Sequence, residues 1–289
     1  MKMTVKSHLN VKYFTQKTVV LAVVSALMFI VGGFLVKEYK INALEKKDYG
    51  VFLNVTDLPL ERFRKYETIV IDAQYFTKKD IELLHQNGIT VYTYLNIGSV
   101  ENFREYYTAY AKLAIGRYDH WEEEEWVDAA DTDWQKLMGQ LALELNEKGV
   151  DGFFIDNCDV YYYFPRESIF EGLTVILQNI MTFGKEVIIN GGDAYVTEYK
   201  ERYGTLDDIM TGINQETVWS GIDFNKGTFI EQKKEERDYF CQYLEACKAE
   251  GMKVYLLEYT TDRKLIRKIE KYCKKQGFHL YISDTLELE

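Results

Sequence analysis

The segment KGVDGFFIDNCDVYYYF (148–164) carries the pattern on which the fold turns. It leaves an amphipathic stretch, DWQKLMGQLALELNEKG (133–149), which closes on glycine as helix C-termini often do. It then runs through a short β-rich apolar string, DGFFID (151–156), and ends on a carboxylate followed by Asn157, Asp159 and an aromatic cluster. Helix, strand and polar strand end in that order are the repeating unit of a parallel α/β sheet.

Seven more β-rich runs lie outward from this one: YGVFLN (49–54), TIVID (68–72), ITVYTYL (89–95), EVIIN (186–190), DIMTGIN (208–214), KVYLLEY (253–259) and FHLYIS (278–283). Amphipathic segments separate them, among them LERFRKY, KKDIELLHQNG, ESIFEGLTVILQNIMTFG, FIEQKKEERDYFCQYLEACKAEG and DRKLIRKIEKYCKKQG. Eight strands alternating with helices predict an α/β fold, a (β/α)8 TIM barrel over residues 49–289, within the size range of ~250 residues for that architecture. Such a barrel places its chemistry at the C-terminal ends of its strands. Those ends read Asn54, Asp72, Tyr94 with Asn96, Asp156 with Asn157, Asn190, Asn214 with Glu216, Glu258, and Ser283 with Asp284. Helix N-capping is the plain alternative for any Asp or Asn there. It suits Asp72 and Asn54. It fits Asp156 and Glu216 less well, because glutamate is a poor cap and Asp156 leads into further polar groups.

The chain of 289 residues is 47% hydrophobic and 15% aromatic, enough to bury one large core. TVVLAVVSALMFIVGGFLV (18–36) carries no charge and is long enough to cross a bilayer. It exceeds the apolar region of a cleaved secretory signal. The sequence therefore predicts a transmembrane signal anchor at 18–36, a cytoplasmic leader at 1–17 and a linker at 37–48. Lys2, Lys6, Lys12 and Lys17 stand in the leader without an acidic residue, which places the barrel outside a single-pass cell membrane protein. Cleavage of the segment would release it as a secreted protein instead. Residues 1–48 hold eight lysines and three acids, a balance of +5 against −11 for the whole chain, so −16 remains on the rest. That surface argues against nucleic acid as a partner and would steer cations toward it, with a simple solvated surface as the plain alternative. Nothing in the sequence speaks to oligomeric state.

Several chemistries lack their residues. The only histidines are His8, His85, His120 and His279, with no H-x-H or H-E-x-x-H. Cys158, Cys241, Cys247 and Cys273 form neither a disulfide framework nor a zinc pattern. No G-x-S-x-G elbow, P-loop or dinucleotide fingerprint is present, so no metal or cofactor is implied. Carboxylate chemistry remains, and two carboxyl groups on different strand ends are what cutting a glycosidic bond requires. Tyr161, Tyr162, Tyr163, Phe164, Trp121, Trp126 and Trp219 would supply flat faces for sugar, or simply pack.

YLNIGSVENFREYY (94–107), WVDAADTDW (126–134), KGVDGFFIDNCDVYYYF (148–164), IIN (188–190), INQET (213–217) and VYLLEY (254–259), taken in order, resemble the endo-α-1,4-polygalactosaminidases of glycoside hydrolase family 114. Members resemble barrels with Y-x-S-x-G-E-x-E at strand three, G-F-D-G-V-x-x-D at strand four and a glutamate at strand six. Tyr94, Gly98, Glu101 and Arg104 match the first motif; Asp151, Gly152 and Asp156 match the second; Glu216 takes the last position. The resemblance implies a hydrolase of α-1,4-linked, galactosamine-containing exopolysaccharide, partly deacetylated and so cationic. It also implies Asp156 and Glu216 as the catalytic pair, with Asp156 read as nucleophile and Glu216 as general acid/base. Asn96 replaces the family's serine and Ser99 its first glutamate, which leaves room for a different substrate while the pair persists.

Substrate contacts are expected from Asp72, Tyr94, Asn96, Glu101, Arg104, Asn157, Asp159, Tyr161, Asn190, Asn214, Trp219, Glu258, Tyr259 and Asp284. Among these, Asp72, Asp159, Glu258 and Asp284 are the expected partners of a sugar ammonium. The run Glu122, Glu123, Glu124, Glu125 reads as a solvated loop, with a cation-attracting lip as the alternative. Two further readings stay open: a surface carbohydrate-binding barrel without turnover, and a hydrolase of another, neutral glycan.

Overall fold

The computed structural model describes residues 46–289. The leader at 1–17, the anchor at 18–36 and nearly all of the linker at 37–48 lie outside them. Among the described residues no helix is long and apolar enough to cross a membrane.

Eight strands form the central sheet: β1 (Lys47–Phe52), β2 (Tyr66–Ile71), β3 (Thr90–Asn96), β4 (Gly152–Asp156), β5 (Glu186–Asn190), β6 (Gly212–Glu216), β7 (Lys253–Tyr259) and β8 (His279–Ser283). They hydrogen-bond in chain order with every neighbour parallel. β1 and β8 meet through side chains. Phe52 and Tyr281 lie 5.5 Å apart between ring centroids, and His279 Nδ1 is 2.9 Å from Asp48 Oδ2. The result is an α/β barrel-like fold with eight parallel strands nearly closed, the arrangement of a TIM barrel.

The long helices are α1 (Lys78–Gln86), α2 (Thr132–Lys148), α3 (Glu167–Met181), α4 (Asp193–Tyr203), α5 (Lys234–Ala249) and α6 (Arg263–Gln276). Their ends follow local chemistry. Asp131 caps α2 by accepting from the backbone N–H groups of Asp133 and Trp134, and Asp262 caps α6 in the same way. Gly149 and Gly277 end these two helices at φ 95° and 68°, a conformation that costs any residue with a Cβ.

Three segments depart from the sequence reading. LERFRKY yields only one turn, Leu60–Phe63. The sixth strand is Gly212–Glu216 rather than 208–214; Ile209 and Met210 are apolar because they are buried in the core, not because they pair. The first residues of the FIEQKKEERDYF segment form a strand, Thr228–Glu231, in a hairpin with Ser220–Asp223, and α5 starts only after it.

An insertion after β3 shapes the C-terminal end of the barrel. Ser99–Glu101, Ala114–Arg117 and Glu124–Val127 make a small antiparallel sheet with Glu124–Val127 in the middle. Buried Trp134 of α2 donates its indole N–H to Ile97 O at 2.8 Å and so ties this insertion to the helical layer. Its base crosses β4 so closely that a Cβ on Gly98 would sit 1.8 Å from Asn157 O. Gly98→Ala is therefore expected to destabilise the fold by about 3 kcal/mol or more, because a backbone carbonyl cannot yield as a side chain does. Thermal unfolding checks this, and a melting temperature close to that of the wild type would contradict it.

Candidate active site

Asp156 is the last residue of β4 and Glu216 the last of β6, with β5 between them. Asn190, at the tip of β5, bridges the two. Its Nδ2 is 2.9 Å from Asp156 Oδ1 and 2.8 Å from Glu216 Oε1. Those two bonds laid end to end reach 5.7 Å, which is the largest separation the two facing oxygens can have. Each carboxylate has a tyrosine on its other oxygen. Tyr94 donates to Asp156 Oδ2 at 3.1 Å and Tyr259 to Glu216 Oε2 at 2.8 Å.

Burial foremost, then the charge of Glu216, raises the Asp156 carboxyl to about 6, against the pull of Asn190, Tyr94 and the Asn157 backbone N–H. Burial likewise raises Glu216, opposed by Asn190 and Tyr259. The residue after each carboxylate has left-handed backbone, Asn157 at φ 67° and Thr217 at φ 55°. Such conformations are costly for side-chain-bearing residues and concentrate at functional sites. Neighbours hold them: Thr217 N donates to Leu257 O at 3.0 Å, and the Asn157 amide bonds Tyr118, Ser99 and Glu124.

The pair opens into a cleft of about 690 Å3. Of the residues expected from sequence, Asp72, Tyr94, Glu101, Arg104, Asp156, Asn157, Asp159, Asn190, Glu216 and Tyr259 line it. Asp72 and Glu101 both bond Arg104, at 2.6 and 2.5 Å, and Asp72 also caps the turn Ala73–Tyr75. These three thus form a buried wall held together by its own charges. Asp159 accepts from backbone N–H groups, Gly192's and its own, and burial, together with the charges of Asp156 and Asp193, raises it to about 7.

The remaining expected residues do not line the cleft. Asn96 is turned into its own loop, accepting from Gly98 N and Ser99 N. Tyr161 packs on Phe170 and Tyr195. Trp219 lies against Tyr272 and Arg237. Asn214 is buried below Asn190. Glu258 is fully buried and accepts from Ser220 Oγ and the backbone N–H groups of Trp219 and Ser220, which fixes the hairpin base. Asp284 is exposed outside the cleft.

The structure adds Tyr118 and Gln215 to the cleft and places there Trp121, Tyr163, Glu123 and Glu124, which the sequence offered as sugar-facing aromatics or as an acidic lip. Trp121, Tyr118 and Tyr163 line it, and Gln215 presents a buried Oε1 with no hydrogen-bond partner among the described residues. Glu124 is the most consequential. Its Oε2 accepts from Ser99 Oγ at 2.5 Å, Asn157 at 3.1 Å and Asn96 at 3.2 Å. Burial first, then the charge of Glu101 directly opposite in the antiparallel pair, raises its carboxyl to about 7. One signal in the sequence pointed to it: on a strand Glu124 shares a face with buried Trp126, unlike Glu123 and Glu125. Among the described residues no group of three or more His, Cys, Asp or Glu is placed to hold a metal ion.

Burial leaves Glu124, Asp159 and Glu258 at about 7 and Asp156 at about 6, all above the value near 4 of an unfolded carboxylate. Between about pH 4 and 7 the folded chain keeps protons that the unfolded chain has lost, so stability falls as pH rises through that window. The melting temperature is expected to be lower at pH 8 than at pH 5.5; an equal or higher value at pH 8 would show that these carboxyls are not raised.

No curated protein matches this sequence. In structure, the chain is similar to the glycoside hydrolase domain of PelA from Pseudomonas aeruginosa, with TM-score 0.71 and 21% identity over 83% of this chain and 95% of that one. It is also similar to Ega3 of Aspergillus fumigatus, solved in complex with galactosamine, with TM-score 0.65 and 15% identity over 85% and 93% of the two chains. A more distant likeness, TM-score 0.53 and 10% identity over 82% and 57%, is to an alpha-galactosidase from Thermus thermophilus. The sequence profile of glycoside hydrolase family GH114 matches residues 50–287, from the first strand of the barrel to beyond the last, and the chain belongs to that family.

Proposed function

We propose that the barrel hydrolyses a polysaccharide containing unacetylated galactosamine by a retaining, two-carboxylate mechanism. The observation that carries the mechanism is the amide of Asn190 bonded to both carboxylates. Facing oxygens no more than 5.7 Å apart, held by one amide nitrogen, favour the close pair of retaining glycosidases, whose carboxyl groups stand roughly 5 to 5.5 Å apart, over the roughly 6.5 to 9.5 Å that leaves room for water in inverting ones. Asp156 has one more donor than Glu216, the Asn157 N–H, which favours its ionised form. With Asp156 ionised, Glu216 holds the proton of the closely coupled pair. In this reading Asp156 attacks the anomeric carbon while Glu216 protonates the departing oxygen. Glu216 then takes a proton from the water that releases the sugar from Asp156.

Glu124 and Asp159 support the cationic substrate. Both line the cleft, neither has a cation partner among the described residues, and burial leaves both reluctant to ionise. A sugar ammonium would restore their charged forms and gain charge-assisted hydrogen bonds. Gln215 Oε1 offers a further acceptor. This set replaces three of the four acids expected from sequence, since Asp72 is already paired with Arg104, Glu258 is sealed in the hairpin base and Asp284 stands outside. The similarity to a galactosamine-bound structure points the same way. We further propose that residues 18–36, charge-free and of bilayer length, anchor the barrel outside the cell; protease added to intact cells would remove an outward-facing barrel and spare an inward one.

Incubation of the full-length protein with partly deacetylated galactosaminan is expected to release reducing ends. Asp156→Asn and Glu216→Gln should each lower the rate at least ~10³-fold without loss of folding. Glu124→Gln and Asp159→Asn should instead raise KM about tenfold on the cationic polymer and leave a fully N-acetylated one unaffected. Binding without release would refute turnover, and neither binding nor release would refute the substrate.

A further inference from the structure

We infer that Asn214 is a positioning residue that fixes, from beneath the site, which end of the Asn190 amide is turned to the two carboxylates. The inference rests on Asp156 and Glu216 being the reacting pair. The Asn190 NH2 group has two hydrogens and two carboxylate acceptors, at 2.9 and 2.8 Å, so its donor capacity is fully engaged. The opposite orientation would set the Asn190 carbonyl against the Asp156 carboxylate, acceptor against acceptor, whereas a protonated Glu216 can bond either end of the amide. A donor at the far end of the amide therefore adds to the preference for the orientation seen.

Asn214 holds it. It sits opposite Asn190 in the β5–β6 register and on the same face of β6 as Glu216, two residues on. Its Nδ2 donates to Asn190 Oδ1 at 2.7 Å, and its own Oδ1 accepts from the Tyr49 hydroxyl of β1 at 3.3 Å. Asn214 and Tyr49 are both fully buried and line no part of the cleft. A buried amide is costly unless its polar atoms are bonded, and an apolar side chain would fill the same space without that demand. Here the side-chain bonds of Asn214 run in one direction, from Tyr49 through Asn214 to Asn190 and on to the reacting pair. Without the Asn214 donor, Asn190 Oδ1 is left unpaired and the amide loses one of the three bonds that hold its orientation. Both carboxylates then lose part of a hydrogen bond that favours their charged forms, and both become harder to ionise.

Asn214→Leu removes the donor at nearly constant volume; of the charged or titratable groups that face the pair, Tyr49 loses its acceptor, and Tyr94, Glu101, Tyr118, Glu124, Asp159 and Tyr259 are unchanged by it. The test is carbon-13 NMR titration of labelled aspartate carboxyls in the full-length protein, assigned by Asp156→Asn. The Asp156 carboxyl is expected to titrate about one pH unit higher in Asn214→Leu than in wild type. The acidic limb of kcat/KM should move with it, with kcat about tenfold lower and KM within about twofold. Tyr49→Phe, which keeps the ring, should shift the titration in the same direction by less. A folded Asn214→Leu with an unmoved Asp156 titration overturns the inference. If that variant does not fold, Tyr49→Phe decides, and an unmoved titration there overturns it. The titration needs no substrate, so a wild type that cleaves no galactosaminan refutes the substrate proposal while this inference still stands or falls on the shift.

Discussion

One amide nitrogen, Asn190 Nδ2, bonds two half-buried carboxylates, and the rest of the site is built around that contact. Parallel strands in register bring it about, because β4, β5 and β6 are consecutive neighbours: β4 and β5 end together, and β6 runs two residues past Asn214, the register partner of Asn190, so that Glu216 stands on the same face above it. Tyrosines from β3 and β7 close on the outer oxygens. The chain leaves each carboxylate through a left-handed residue, so the backbone turns away and the side chain stays at the mouth. A site assembled this way needs little reorganisation when charge develops at the reacting carbon, which is how preorganised polar groups accelerate a reaction.

The cost of that arrangement is electrostatic. Asp156, Glu216, Glu124 and Asp159 are half-buried near one another without a lysine or arginine among the described residues to match them, while the cleft's Arg104 is already held by Asp72 and Glu101. Each carboxyl is raised in consequence. A fold tolerates such a cluster when its ligand supplies the missing charge, and perturbed carboxyls grouped in a cleft are a mark of function rather than of stability. The acidic balance of the chain outside its first 48 residues extends the same preference to its surface.

Much of the barrel was legible because burial and strand pairing impose the same apolar pattern. EVIIN and KVYLLEY coincide with β5 and β7 residue for residue. The sixth strand was displaced because Ile209 and Met210 are apolar through packing alone, a distinction that periodicity does not carry. At the site, Asp156 and Glu216 stood out as strand-end carboxylates. Glu258 did too, yet its register turns it into the core, where Ser220 satisfies it. Glu124 was hidden in a run of glutamates because its burial depends on an inserted sheet whose strands are short and irregular. The amide relay through Asn214 was hidden for a different reason: which amide meets which depends on the register between strands, and local sequence does not state it.

The central claim is that Asp156 and Glu216 work as a retaining pair, and a trapped covalent intermediate tests it most directly. A fluorinated galactosamine glycoside with a good leaving group slows release of the sugar more than its attachment, so the adduct accumulates and peptide mass spectrometry locates it. The account predicts one added sugar on the peptide that contains Asp156 and none on the Asp156→Asn variant. No adduct in a catalytically active protein, or an adduct on Glu216, would contradict it.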